Sequence, residues 1–168
     1  MSCEDPAPAA NGHGGGPERK RPAHPVPVQR HNEPVILFVT VCTRDRAPVL
    51  ATAVAHAALR RGWSEEGEWI VGGYMIMPDH VHLFCAPGVS GTGAVKDWCG
   101  RWKRVVSRRT PEAKGRWLPD CWDTQMRSQE HYLRKLAYVL CNPVRRGLVE
   151  HAEDWPFRGS MNSLPWVL

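Results

Sequence analysis

Two apolar runs separated by only two residues constrain the fold of this 168-residue chain more than any other feature. Trp69 to Met77 reads WIVGGYMIM, and His80 to Ala86 reads HVHLFCA. Runs rich in Val, Ile and aromatic residues form strands, and the Pro-Asp pair between them favours a turn. The sequence therefore predicts an antiparallel hairpin whose first strand carries a bulge at its glycine pair.

Further strands and helices are predicted on both sides of this hairpin. The apolar run Pro34 to Cys42 predicts a strand before it, and Cys121 to Met126 predicts another after it. Apolar periodicity and end signals predict helices over 49–61, with a glycine as the stop, over 93–109, and from Ser128 to an Asn-Pro pair. The order β-α-β-β-α-β-α predicts an α+β fold, a ferredoxin-like sandwich with helices packed on an antiparallel sheet.

The first 31 residues differ in composition from the rest of the chain. They hold six of the 15 prolines and four of the 15 glycines, with few side chains that could form a core. Such a segment does not recover the entropy lost on ordering. We therefore predict a disordered tail over 1–31 and one domain over 32–168. The tail has no apolar run typical of a leader, and the cysteines form no CxxC pair, so we expect reduced thiols in the cytoplasm.

The charge balance favours a polyanionic partner and gives no sign of a membrane. Lys and Arg exceed Asp and Glu by 22 to 17, for a net charge of +5. No apolar stretch reaches the roughly 20 residues that a membrane span needs. The residues predicted to contact phosphates lie on the second helix and after the last one, although exposed basic faces are also normal for soluble helices. These residues are Lys103, Arg104, Arg108, Arg109, Arg145 and Arg146.

Two histidines on the second hairpin strand are candidate metal ligands. His80 and His82 stand at i and i+2, and such side chains point to the same face of a strand. Two adjacent imidazoles are a common way to bind a divalent metal ion, although such pairs also occur without one. No CxxC or HExxH motif accompanies the pair, so a structural zinc site is not indicated.

A tyrosine and an asparagine lie one turn apart on the last predicted helix. We expect Leu133, Leu136 and Leu140 on the buried face, which directs Tyr138 away from the core, with Asn142 on its side. Taken alone, this pattern favours the ordinary interpretation, a half-exposed tyrosine before a helix-ending Asn-Pro pair. Combined with the two histidines, the amide oxygen favours Mg²⁺ or Mn²⁺ over a closed zinc site. The phenol would then be placed to attack a phosphate held on the metal.

Three segments together resemble a known family in order and spacing: MPDHVHLF, YVLCNPVRRGLV and DWPF. From about Pro34 to Arg158 the chain resembles the REP-associated tyrosine transposases, which are insertion-sequence-200-like, single-tyrosine HUH transposases. The resemblance implies that His80, His82 and Asn142 bind Mg²⁺ or Mn²⁺ and that Tyr138 is the nucleophile. It also implies cleavage and rejoining of single-stranded DNA through a 5′-phosphotyrosine, at hairpin sequences similar to repeated extragenic palindromes.

Two other functions stay open at this point. A domesticated protein of the same ancestry would bind DNA hairpins without cutting them. A metal-dependent hydrolase of small phosphoesters would use water as the nucleophile and would not need Tyr138. Monomer and dimer are both compatible with the sequence.

Overall fold

A computed structural model describes residues 22, 24, 26–28, 34–89 and 93–165 of the chain. Most of the predicted tail, residues 1–31, lies outside the described residues, so its disorder and the domain boundary remain predictions. Two tail residues inside the described part, His24 and Val28, contact the segment around Asp123 and Gln125.

Five strands form a single sheet in which every neighbouring pair is antiparallel. The order across the sheet is β4-β1-β3-β2-β5. The first four strands have the order expected of a ferredoxin-like sandwich, so the predicted α+β fold is confirmed. The short edge strand β5 was not predicted. The strands are β1 (Leu37–Cys42), β2 (Trp69–Met77), β3 (His80–Pro87), β4 (Trp122–Gln125) and β5 (Arg158–Ser160).

Four α-helices complete the fold, and none within the described residues is long and apolar enough to cross a membrane. They are α1 (Ala53–Glu65), α2 (Val95–Arg109), α3 (Gln129–Leu140) and α4 (Asn142–Arg145), with 3-10 turns at Arg44–Arg46, Pro111–Ala113 and Ala152–Asp154.

Helix α1 is displaced by four residues from its predicted range. It begins at Ala53 because the Thr52 hydroxyl accepts a hydrogen bond from the Ala55 amide at 3.1 Å. It also continues past Gly62, the predicted stop. A Cβ atom at Gly62 would stand 3.4 Å from the Cβ of Trp102. The glycine therefore allows α1 and α2 to cross closely, and it does not end the helix.

The sheet separates two hydrophobic cores. Helices α1 and α2 cover one face, where Trp63, Trp98 and Trp102 are buried. Helix α3 covers the other face. The predicted bulge lies in β2 between Val71 and Tyr74. It keeps both of these side chains in the α1–α2 core although they are three residues apart. The residues before and after the bulge thus alternate correctly between the two cores.

Candidate functional site

The two histidines of β3 bring their Nε2 atoms together on the α3 face of the sheet. These atoms are 3.1 Å apart. Nδ1 of His80 donates to a carboxylate oxygen of Asp79 at 2.7 Å, and Nδ1 of His82 lies 2.9 Å from the Thr40 hydroxyl, which can accept in the same way. With both Nδ1 atoms protonated, both Nε2 lone pairs point at one position. Such an arrangement fits a cation between the rings.

The surroundings keep both imidazoles neutral. Burial, reinforced by the positive charges of neighbouring groups, lowers the pKa of His82 to about 3. Burial also lowers the pKa of His80, although the hydrogen bond to Asp79 opposes the shift. Since a metal binds the deprotonated nitrogen of imidazole, two histidines that stay neutral are suited to that role.

Asp79 is a site residue, whereas the sequence predicts it only as part of a turn. Its buried carboxylate also accepts from Arg46 at 3.2 Å and from Arg146 at 3.3 Å. Burial raises the pKa of Asp79, but the hydrogen bond from His80 and the two arginine charges outweigh it, and the pKa falls below its usual value. An ionised carboxylate behind an imidazole is the usual outer partner of a metal-binding histidine. Its position directly before the histidine pair was the available signal.

The strands and the last two helices form a cavity of about 350 Å³. The four residues predicted as nucleophile and ligands all line it, although two come from β3 and two from 56 to 62 residues later in the chain. The Tyr138 side chain is 41% exposed, whereas Asn142 is buried. The full lining is Thr40, Cys42, Arg46, His80, His82, Tyr138, Asn142, Arg145 and Arg146.

Helix α3 directs Tyr138 into this cavity, and Leu136 and Leu140 pack against the core as predicted. Its buried residues are Tyr132 and Val139, whereas Leu133, expected in the buried stripe, is 50% exposed. The Tyr132 ring packs 4.7 Å from the ring of Phe84 on β3, which sets the rotation of the helix. Tyr138 lies about 120° round the helix from Tyr132 by helical periodicity and stays accessible.

Positive charges surround the Tyr138 ring and line the cavity. The ammonium of Lys135 lies 5.4 Å from the ring centre and the guanidinium carbon of Arg145 lies 4.7 Å from it. Arg46, which was not predicted, and Arg146 add two more guanidinium groups at the cavity wall. Arginine forks are suited to phosphate oxygens. The cavity can therefore accept an anionic phosphate ester.

Arg46 reaches the cavity from a strained turn. Its φ angle is 54°, in the left-handed region that residues other than glycine rarely adopt. Such conformations cost on the order of 1–3 kcal/mol and are often found at functional sites. No motif marks this arginine in the sequence, because it stands 33 residues before Asp79, the residue it binds.

The basic residues predicted on α2 do not join this site. Lys103 is 6% exposed, and its ammonium donates to the carbonyl oxygens of Leu118 at 3.0 Å and Asp120 at 3.1 Å. Burial lowers its pKa. Its assignment as a phosphate contact is therefore wrong. Arg104 and Arg108 are exposed, but they stand on α2, across the sheet from the cavity.

Comparisons with known proteins identify relatives. No family model matches the sequence. A REP-associated tyrosine transposase from Escherichia coli (strain K12) is 26% identical over 127 residues, which cover 71% of this chain and 73% of that protein. The structure of a REP-associated tyrosine transposase bound to a REP hairpin superposes with a TM-score of 0.62 at 23% identity, covering 78% of this chain and 80% of the other. This second likeness shows the shared fold.

Proposed function

Because the chain is a relative of the REP-associated tyrosine transposases, we propose that it is a metal-dependent enzyme that cleaves and rejoins single-stranded DNA through Tyr138. The family indicated by the sequence motifs is confirmed by this relationship. The observation that carries the proposed reaction is the shared cavity, in which two converging imidazoles, an amide and a phenol face the same space.

Each of the four residues has a defined part in the proposal. His80, His82 and Asn142 would hold Mg²⁺ or Mn²⁺, and a bound ion would polarise the phosphate and orient it. Tyr138 supplies the nucleophile from the accessible side of α3. Arg145 and Arg146 contact the nonbridging oxygens of the phosphate, where they balance the charge that grows during attack.

The proposed reaction exchanges one phosphoester bond for another. The phenol oxygen of Tyr138 forms a bond to phosphorus while the bond between phosphorus and the 3′ oxygen breaks. The phenol proton leaves to solvent, and the released 3′ oxygen takes up a proton. The 5′ phosphate is then linked to the tyrosine, so a later 3′ hydroxyl can reverse the step without an external energy source.

We propose a DNA hairpin with a single-stranded flank as the substrate. The solved relative is bound to a REP hairpin, and this chain shares its fold. A strand that enters the cavity would also pass Trp122 on β4. Trp122 pairs with Thr40 on β1, and Thr40 pairs with His82 on β3. The three side chains therefore lie in one row on one face of the sheet. Trp122 is 42% exposed and can stack on an unpaired base.

The test is covalent capture of DNA. The full-length protein is incubated with Mn²⁺ and a hairpin oligonucleotide labelled on the 3′ side of its single-stranded flank, and the products are run on a denaturing gel. We expect a labelled band that migrates with the protein. Tyr138→Phe should bind the hairpin without forming this band, and Tyr132→Phe, which alters a buried ring on the same helix, should still form it.

The same experiment separates the competing functions. Hairpin binding without any adduct or cleavage would identify a non-cleaving binding protein. Cleavage that survives in Tyr138→Phe would identify water as the nucleophile and would contradict the proposal.

A further inference from the structure

A second group of metal-ligating side chains lies on the other face of the sheet from the cavity. Trp122 and Asp123 are neighbours on β4, so their side chains point to opposite faces. Asp123 pairs with Val39, a residue of the α1–α2 core, and Cys121 belongs to the same core. This group is therefore separate from the two histidines of β3.

Three ligand atoms from two distant parts of the chain converge in this group. One atom each from His24, Cys121 and Asp123 lies within 4.8 Å of the other two. Tetrahedral zinc, with bonds of about 2.0–2.3 Å, sets its ligand atoms roughly 3.3–3.8 Å apart. Side-chain shifts of about 1 Å, which move the His24 and Asp123 atoms apart and Cys121 closer, would thus bring these atoms to a zinc geometry.

The buried carboxylate in this group is paired with the imidazole of His24. The Asp123 side chain is 2% exposed, and its Oδ1 atom lies 2.5 Å from Nδ1 of His24. Burying an ionised carboxylate is costly without a compensating charge. A divalent ion bound by one thiolate, one carboxylate and a neutral imidazole is charge-balanced, and it would replace the proton between His24 and Asp123 while the buried Cys121 supplies the thiolate.

Asp120 is positioned to orient the histidine of this group. Its Oδ1 atom lies 2.6 Å from Nε2 of His24 and also accepts from the Cys121 amide at 2.8 Å. If Nδ1 of His24 binds a metal, Nε2 retains its proton and donates it to Asp120. This is the carboxylate–histidine–metal arrangement found around protein-bound zinc.

A second contact holds the segment that carries His24 against β4. The Val28 amide donates to the side-chain oxygen of Gln125 at 2.9 Å, and the Gln125 amide donates to the Val28 carbonyl at 2.9 Å. The segment is thus anchored four residues beyond His24, and the imidazole is kept near Cys121 and Asp123 without a metal.

We propose that His24, Cys121 and Asp123 form a zinc site that fastens His24 to β4, with the fourth position open to water. A thiolate with an imidazole selects zinc over the harder Mg²⁺ or Mn²⁺. The site therefore differs in both place and ion preference from the one proposed at His80 and His82, and it does not depend on the proposed DNA chemistry.

The test uses Co²⁺ as a spectroscopic substitute for zinc in the full-length protein after metal removal with a chelator. We expect one equivalent of Co²⁺ to produce a thiolate charge-transfer band that Zn²⁺ abolishes. Cys121→Ser should lose the band. His24→Ala and Asp123→Asn should weaken Co²⁺ binding by roughly tenfold or more. His24 lies outside both cores, so its variant tests the site even if Cys121→Ser fails to fold.

Two controls exclude the cavity as the source of the band. Cys42 lines the cavity beside the histidine pair and could add a thiolate there. The His80→Ala/His82→Ala double variant and Cys42→Ser should both keep the band. Absence of the band in the wild type, unchanged Co²⁺ affinity in His24→Ala, or loss of the band in either control would overturn the proposal.

Discussion

The carboxylate of Asp79 accepts a hydrogen bond from Nδ1 of His80, the next residue in the chain, at 2.7 Å. Asp79 is the last residue of the turn between β2 and β3, and His80 is the first residue of β3. The turn that reverses the chain therefore also sets the orientation of the first proposed metal ligand. Arg46 and Arg146 hold the same carboxylate from the solvent side.

We expect Asp79→Asn to weaken Mn²⁺ binding by about 10–100-fold, because the histidine loses an ionised outer partner while the side chain keeps its size. The Mn²⁺ dependence of the cleavage rate measures this effect, and saturating Mn²⁺ should restore activity. Asp97→Asn, on the exposed side of α2, is the matched control. An identical Mn²⁺ dependence in Asp79→Asn and wild type would contradict the role assigned to Asp79.

His80→Ala and His82→Ala should each abolish cleavage while the protein stays folded. Each substitution removes one proposed ligand from the cavity side of β3, and the neighbouring strands retain their pairing. Cleavage assays in Mg²⁺ and Mn²⁺, with circular dichroism for the fold, check this expectation. Wild-type rates in the double variant would show that the pair binds no catalytic metal.

The parts of the fold predicted best are those that depend on local pattern. The range predicted for β2, Trp69–Met77, matches the structure, and the start of β3 at His80 is correct. Two apolar, strand-forming runs and the Pro-Asp turn between them contain enough information for a hairpin. The four residues predicted around the cavity come together because the strand alternation and the helical turn each determine which side chains share a face.

The errors arise where distant residues decide the outcome. The sequence predicts Gly62 as a helix stop, although the glycine leaves room for Trp102 on α2. The charge of Lys103 predicts a phosphate contact, whereas its ammonium donates to two carbonyl oxygens outside α2 and is buried. Arg46 stands near neither motif and reaches the cavity only after folding. Local patterns contain none of these contacts.

Lys103→Met should destabilise the protein without changing how it binds DNA. The variant keeps the buried stem but leaves two carbonyl oxygens without the ammonium, which costs on the order of 1–3 kcal/mol. Urea denaturation measures this loss. Arg104→Met, at the exposed neighbouring position, should stay within about 0.5 kcal/mol of wild type. A larger loss of DNA affinity than of stability in Lys103→Met would restore its role as a phosphate contact.

Arg145→Ala should reduce the salt dependence of binding to single-stranded DNA. Each phosphate contact on a single strand contributes about 0.7 to the slope of log affinity against log salt concentration. We expect the slope to fall by about that amount in Arg145→Ala and to stay unchanged in Arg108→Ala, since α2 lies across the sheet from the cavity. Fluorescence anisotropy at several salt concentrations measures both slopes. Equal reductions of the slope in Arg145→Ala and Arg108→Ala would mean that DNA contacts both faces of the sheet.

Trp122→Ala should weaken the binding of single-stranded DNA by about 1–3 kcal/mol, the usual contribution of one base stacked on an aromatic ring. The side chain is 42% exposed at the edge of the row formed with Thr40 and His82, so its loss should cost little stability. Trp122→Phe keeps a stacking surface and should retain most of the affinity. Because stacking carries no charge, the salt slope should not change in either variant.

Fluorescence anisotropy with a hairpin carrying a single-stranded flank and with the same hairpin lacking the flank tests this stacking role. Trp122→Ala should lose affinity for the hairpin with the flank and none for the hairpin without it, since a paired base cannot reach the ring. Leu118→Ala, which truncates another exposed apolar side chain near the start of β4, is the control and should leave both affinities unchanged. An equal loss for both hairpins would mean that Trp122 contacts the duplex, and the strand path proposed across β4 toward Tyr138 would then be wrong.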